Sequence, residues 1–290
     1  MSVRIPILAL LFVTASFART AAPPHDDLER QIAAVTKELS RSPGDEALLV
    51  QRANLYRLHR QWDEAFADLA QVRRTRETGP FVLVRARLFR DLDYLRAATT
   101  ELDGHLSRAP GDTSVRLLRA EVLERRGMHA RALADLDRAI GELDPPQPDQ
   151  FVDRARVAAA CAELGKGALE RALAGLDQGM ERLGPIPALQ LAAIDLELER
   201  ARHDAALERL ATLAAQGGRQ ERWLARRGDI LFDAGRREAA GEAYQAALSD
   251  IRSLKTKHRR TPLVRDLEAH ALDRLRVLAR PDKARPKTPH

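Results

Sequence analysis

The chain repeats itself at a nearly fixed period, and that feature constrains its fold more than any other. Alanines at 65, 98, 132, 172, 206 and 240 occupy one frame, separated by 33, 34, 40, 34 and 34 residues. Each leads a short helical pattern, as in Trp62-Asp-Glu-Ala65-Phe-Ala-Asp-Leu69 and His129-Ala-Arg-Ala132-Leu-Ala-Asp-Leu136. Twelve residues upstream, Ala53, Ala86, Ala120, Ile194 and Gly228 mark another helical pattern with its own, mostly small, residue. Two helices per repeat follow. Small residues on both helices let the backbones approach closely, and a Leu or Tyr four residues after the second alanine fills the space beside that contact.

Composition narrows the alternatives further. A lone Cys161 forms no internal disulfide and supplies no thiolate metal cluster, and 44% apolar residues is too rich for a disordered chain. Only 12 of the 290 residues are aromatic, while Ala, Leu, Glu, Asp and Arg dominate, so helices are expected and a sheet is not.

The period and residue pattern resemble the tetratricopeptide repeat family, whose units are helical hairpins of 34 residues. The resemblance covers roughly Asp45 to Asp250, with the larger first-helix residue at Tyr56, Phe89, Leu123 and Leu231, the interhelix glycine at Gly127 and Gly235, and the second-helix proline at Pro110. It implies an all-α fold: a right-handed superhelical solenoid of about six antiparallel hairpins. Leu28 to Ser40, followed by Pro43-Gly-Asp45, looks like the second helix of a worn unit that caps the N-terminal end over residues 26–44. At the other end, Leu263, Leu267, Ala271, Leu275 and Leu278 recur at helical spacing after Thr261-Pro262, so a C-terminal cap is expected within residues 251–280. An end repeat without such a cap would leave its apolar face in water.

The spacing of 40 marks the fourth unit. Asp144-Pro-Pro-Gln-Pro-Asp149 explains the excess as an insertion at 144–149, because prolines cannot continue a helix. The first helix of that unit is expected near Gln150 to Leu164, with a turn at Gly165-Lys-Gly167 and either Ala155 or Ala160 as its close-contact residue. A kink or break in the array is expected here.

Outside the array, Arg4 precedes an apolar run from Ile5 to Phe17, and Ser16-Phe17-Ala18 supplies small residues for cleavage. Residues 1–18 therefore read as a secretory signal, with an uncleaved anchor or a mis-assigned start as alternatives. A flexible leader at 19–25 follows. The expected location is periplasmic or secreted, with no transmembrane segment after cleavage. From Arg252 to His290 there are 12 Lys+Arg against four Asp+Glu, so the net charge of +6 belongs to the end of the chain, and residues 281–290 read as a disordered basic tail. A solvated cap and tail, attachment to an anionic lipid, polysaccharide or acidic protein, and nucleic-acid binding are the readings of this charge. The absence of interleaved stacking aromatics disfavours the last.

No catalytic motif is present: there is no nucleophile elbow, no His-Glu-x-x-His and no phosphate-binding glycine loop. The histidines, among them His59, His129 and His203, fall singly in different units. Asp135 and Asp137, like Asp91 and Asp93, lie two apart on a helix and point to different sides. Cys161 reads as a small packed hydrophobe, and Trp62 and Trp223 as packing residues. Neither an enzyme nor a cofactor is expected.

The resemblance implies instead that the first helices line a concave groove for an extended peptide or partner helix. Carried over unit by unit, its groove residues are Asn54 and Arg57, Arg87 and Arg90, Glu121 and Glu124, Asp195, and Asp229. Their sign changes from positive to negative along the array, which would orient a partner segment; solvated helix faces are the alternative. The chaperone-type clamp for a terminal carboxylate is matched at Asn54 but not at Val50, Ser114 or Leu118. The expected function is a non-catalytic scaffold or adaptor for a protein or peptide. The alternative is a cell-envelope accessory that binds anionic glycan or lipid through its basic end.

Overall fold

A computed structural model describes residues 25–73 and 78–280. The expected signal at 1–18 and tail at 281–290 lie outside the described residues, as does the leader up to residue 24. Among the described residues all regular structure is helical, and the chain divides between Gly165 and Lys166 into two compact units.

The first unit contains α1 (His25–Arg41), α2 (Glu46–Leu58), α3 (Trp62–Gln71), α4 (Gly79–Asp91), α5 (Leu95–Arg108), α6 (Thr113–Arg125), α7 (His129–Glu142) and α8 (Pro148–Ala160). The pairs α2/α3, α4/α5 and α6/α7 are antiparallel hairpins, α1 packs on α2, and α8 packs on α7. The close-contact alanines explain this pairing. Ala53, Ala65, Ala86, Ala98 and Ala132 are 0% exposed, so each hairpin closes backbone against backbone. Leu49, Phe81, Val82, Leu88, Leu102, Leu106 and Val115 fill one continuous core around them.

Hairpin corners share one construction. The residue midway between paired helices is left-handed in Arg60, Asp93, Gly127, Ala201 and Gly235, with φ of 64, 62, 72, 53 and 73°. The next N–H then reaches back to the helix, as in Gln61 N to Tyr56 O at 2.9 Å, Tyr94 to Phe89 at 2.7 Å, and Met128 to Leu123 at 2.9 Å. This six-to-one bond satisfies a carbonyl the helix end would otherwise leave open. Between hairpins, Pro43-Gly-Asp45 and Pro110-Gly-Asp112 each end in an aspartate that caps the next helix: Asp45 accepts from Ala47 and Leu48 N–H, and Asp112 from Val115 N–H. A Cβ at Gly79 would lie 2.6 Å from Asp112 Oδ2, so any other residue would displace the carboxylate that caps α6 and meets His105.

The fourth repeat departs from expectation. Of its six extra residues, four lie in the connector Cys161–Gly167, where the complete hairpins use three-residue turns; the proline segment accounts for only one. The helix leaves its path at Cys161 (ψ 100°), short of the expected Leu164, and a 3-10 turn spans Ala162–Gly167. Gly165, at φ 53° and ψ −132°, takes a conformation closed to side-chain-bearing residues. Ala155 is buried and Ala160 exposed, which fixes the register of α8 on Ala155.

The second unit contains α9 (Ala168–Leu183), α10 (Pro187–Glu199), α11 (His203–Ala215), α12 (Gln220–Asp233), α13 (Arg237–Ser253), α14 (Thr256–Arg259) and α15 (Pro262–Ala279). Here α10/α11 and α12/α13 are the hairpins, α9 packs on α10, and α15 packs on α13 and α12. Ala206 and Ala240 are again fully buried, and Ile194 is too. The expected cap over 251–280 comprises the end of α13, the single turn α14 and α15, since Pro262 cannot continue α14 and restarts the helix at its first turn. Val264 and Ala271 face inward; Leu263, expected among the covering residues, is 68% exposed.

Candidate functional site

In the first unit neighbouring first helices touch, α2 against α4 and α4 against α6, and the carried-over residues lie along this row. Asn54 and Arg57 sit on α2, Arg87 and Arg90 on α4, Glu121 and Glu124 on α6. Their charges meet one another. Arg57 donates to Asp91 at 2.5 Å through Nη1 and to Asn54 Oδ1 at 3.1 Å through Nε. Arg90 donates to Glu121 Oε2 at 2.9 Å and grips Asp91 at 2.7 Å. Asp91 therefore joins α2 to α4, and Arg90 joins α4 to α6. Glu124 pairs instead with Arg156 of α8.

These neighbours set the electrostatics. Burial disfavours the charged Arg90, but Glu121 and Asp91 outweigh it and hold its guanidinium above the ordinary arginine value. Arg87 is held below that value, by burial first and then by the positive charges of Arg57 and Arg90, which Glu121 and Asp91 only partly offset. No hydrogen bond or ion pair is made by Arg87 among the described residues.

The second unit brings its own carried-over residues to different surroundings. Asp195 on α10 accepts from Arg226 of α12 at 2.5 Å. The carboxylates of Asp195 and Glu199 are both exposed, but crowding by neighbouring chain partly desolvates them: this pushes Asp195 up against the opposing pull of Arg226, and together with the charge of Asp195 it pushes Glu199 up as well. Asp229 on α12 accepts from Tyr244 Oη at 2.7 Å, lies 2.7 Å from His270 Nε2 and 3.6 Å from Arg274. Both His270 and Arg274 belong to α15, so Asp229 ties the last hairpin to the terminal helix.

A second set of ion pairs, not anticipated from the sequence, locks the hairpins themselves. Arg52 grips Asp68 at 2.6 and 2.7 Å, Arg85 pairs with Glu101, and Arg119 grips Asp135 at 2.6 and 2.7 Å while reaching Asp103 at 2.8 Å. The pairs to Asp68, Glu101 and Asp135 join first helix to second within a hairpin, 16 residues apart, while Asp103 ties α6 back to α5 of the hairpin before. The signal was present: an arginine stands directly before each of Ala53, Ala86 and Ala120, and an acid three residues after each of Ala65, Ala98 and Ala132.

Cys161 is buried, its thiol pushed up by burial and by the neighbouring Glu163. Trp62 and Trp223 pack against the cores of their units. Among the described residues no group of three or more His, Cys, Asp or Glu is placed to hold a metal ion, and no helix is long and apolar enough to cross a membrane.

Residues 128–265 match the family model described as a tetratricopeptide repeat-like domain. The matched stretch begins at the second helix of the third hairpin, so most of the first unit precedes it. Solved tetratricopeptide structures extend the likeness of fold. The C-terminal part of a repeat-containing protein from Cytophaga hutchinsonii shares 13% identity at a TM-score of 0.61, over 86% of this chain and 95% of that one. A tetratricopeptide repeat protein from Parabacteroides merdae shares 14% identity at 0.51, over 85% and 93%. Yeast Tom70 shares 16% identity at 0.51, over 81% of this chain but 45% of its own. No curated protein matches the sequence. The architecture is an all-α solenoid of helix hairpins of the tetratricopeptide type.

Proposed function

We propose that the chain is a non-catalytic interaction scaffold that receives an extended peptide or partner helix on the first-helix face of its first unit. The observation that carries this is the row Asn54, Arg57, Arg87, Arg90, Glu121 and Glu124, held across three successive first helices at fixed lateral spacing by Asp91 and Arg90. A fixed row of polar groups loses little side-chain entropy when a ligand docks. On the second unit, taken by itself, Asp195 is the exposed member of the same first-helix pattern; Asp229 contributes by holding α15, since three residues already surround it. The tetratricopeptide-type fold is consistent with a protein-interaction role, and periplasmic or secreted location follows if residues 1–18 act as a signal.

Arg87→Glu with Arg90→Glu tests the reading. A partner purified with the native protein should be lost from the double variant in pull-down, at unchanged helical content. Retention of every partner would contradict it. The second reading, an envelope accessory that binds anionic glycan or lipid, is favoured by the excess of 12 Lys+Arg over four Asp+Glu from Arg252 onward. It predicts that removing residues 282–290 weakens retention on vesicles containing anionic lipid and that the Arg87/Arg90 changes do not.

A further inference from the structure

Three guanidinium groups and two carboxylates crowd the α2–α4–α6 row. Both carboxylates are spent: Asp91 accepts from Arg57 and Arg90, and Glu121 accepts from Arg90. The other arginine nearby on α4, Arg85, turns to the second helix and Glu101. Arg87 is the cation left over, half-buried and unpaired among the described residues. The five groups Arg57, Arg87, Arg90, Asp91 and Glu121 sum to a single positive charge. A partly desolvated guanidinium without a counterion is unfavourable, and a partner carrying one negative charge relieves it through a charge-assisted, two-pronged bond.

We propose that Arg87 is a seat for one carboxylate of a docking polypeptide. This rests on the reading of the first-helix face as a binding surface. The charge count selects the ligand class: one carboxylate neutralises the cluster, whereas a phosphate dianion would overshoot it beside Asp91 and Glu121. Because Asp91 and Glu121 are engaged by the neighbouring arginines, neither is free to neutralise Arg87. The sign change along the array therefore matters less than this one position, since the other early arginines are already neutralised.

Arginine Nε–Hε resonances report the seat directly, independently of any natural partner. The intact protein is titrated at constant ionic strength with N-acetyl-glutamate N-methylamide, with N-acetyl-alanine and with inorganic phosphate. The exposed Arg41 serves as reference. Arg87 should shift saturably with a midpoint about tenfold lower in ligand concentration than Arg41. Preference for the first probe assigns a side-chain carboxylate, and preference for the second a chain terminus. Any accompanying shift of the neighbouring Arg57 and Arg90 resonances should be lost in Arg87→Gln, whose melting temperature should not fall, because no internal partner is lost. Equal response of Arg87 and Arg41, a response to phosphate alone, or marked destabilisation of Arg87→Gln would overturn the seat. The charge-reversal pull-down would still judge the binding face separately.

Discussion

Replacing Gly228 by alanine should destabilise the second unit, although the same change in a helix ordinarily stabilises. A Cβ built there would lie 2.6, 2.7 and 2.8 Å from Cε1, Cδ1 and Cζ of Tyr244. The ring cannot retreat: it is 0% exposed, its hydroxyl donates to Asp229 at 2.7 Å, and His270 meets it edge-on at 6.2 Å. Helix propensity favours alanine over glycine by about 1 kcal/mol, whereas overpacking costs about 1–3 kcal/mol, so a net loss near 1 kcal/mol is expected. Gly241 on α13 is the control. Its Cβ would meet only Leu278 Cδ1 at 3.9 Å, so Gly241→Ala should gain most of the propensity term. Tyr244→Leu alone should cost about 2–4 kcal/mol through lost packing and the lost hydrogen bond. Combined with Gly228→Ala it should cost less than the sum by about 2 kcal/mol, the overpacking term, because the methyl then enters vacated space. Urea unfolding followed by Trp223 fluorescence in a Trp62→Phe background isolates the unit concerned. Stabilisation by Gly228→Ala equal to that of Gly241→Ala, or strict additivity in the cycle, would refute the close-packing account.

The left-handed corners predict opposite effects of opposite changes: Ala201→Gly should gain about 1 kcal/mol by relieving φ of 53°, and Gly127→Ala should lose about as much, read by the same unfolding assay. Asp135→Ala should destabilise the first unit by about 2 kcal/mol, because Arg119 loses its two-pronged partner and keeps only Asp103; this is measured by urea unfolding followed by Trp62 fluorescence. Partial desolvation and the charge of Asp195 raise the carboxyl of the exposed Glu199, so its charge weakly opposes folding above the folded-state value and not below the unfolded one. Glu199→Gln should therefore raise the melting temperature at pH 7 and leave it unchanged near ~pH 3, below the ordinary glutamate value. Cys161 should resist alkylation by iodoacetamide in the native protein at mildly alkaline pH and react on unfolding, since burial keeps it a thiol.

The repeat phase was legible because the alanines that set it admit no substitute of larger volume, and all six are fully buried. The position of the array's irregularity was not. Prolines at 145, 146 and 148 drew the excess residues to themselves, but they fit a connector of ordinary length, and the extra chain lies where Cys161 and Gly165 leave helical geometry. Nothing in hydrophobic periodicity marks such a departure, since Ala158 to Leu164 reads as continuous helix. The corners were legible at Gly127 and Gly235 only; Arg60, Asp93 and Ala201 take the same left-handed conformation without glycine because the surrounding hairpin imposes it.

The carried-over residues were legible as positions and not as chemistry. Repeat register shows which side chains share a helix face, but whether Arg57 meets Asp91 or water depends on the lateral offset of α2 and α4. That offset turns a row of separate charges into a paired network with Arg87 left out. At the other end it gives Asp229 to Tyr244 and α15.

Site-specific photo-crosslinking tests the binding role most directly. A photoreactive residue at Asn54 or Glu121, on the first-helix face, is compared with one at Glu64 or Arg96, on the second helices α3 and α5. The account predicts that one purified polypeptide partner is captured from both first-helix positions, is not captured from either second-helix position, and is lost with Arg87→Glu. Equal capture from all four positions, or capture that persists in Arg87→Glu, would contradict it.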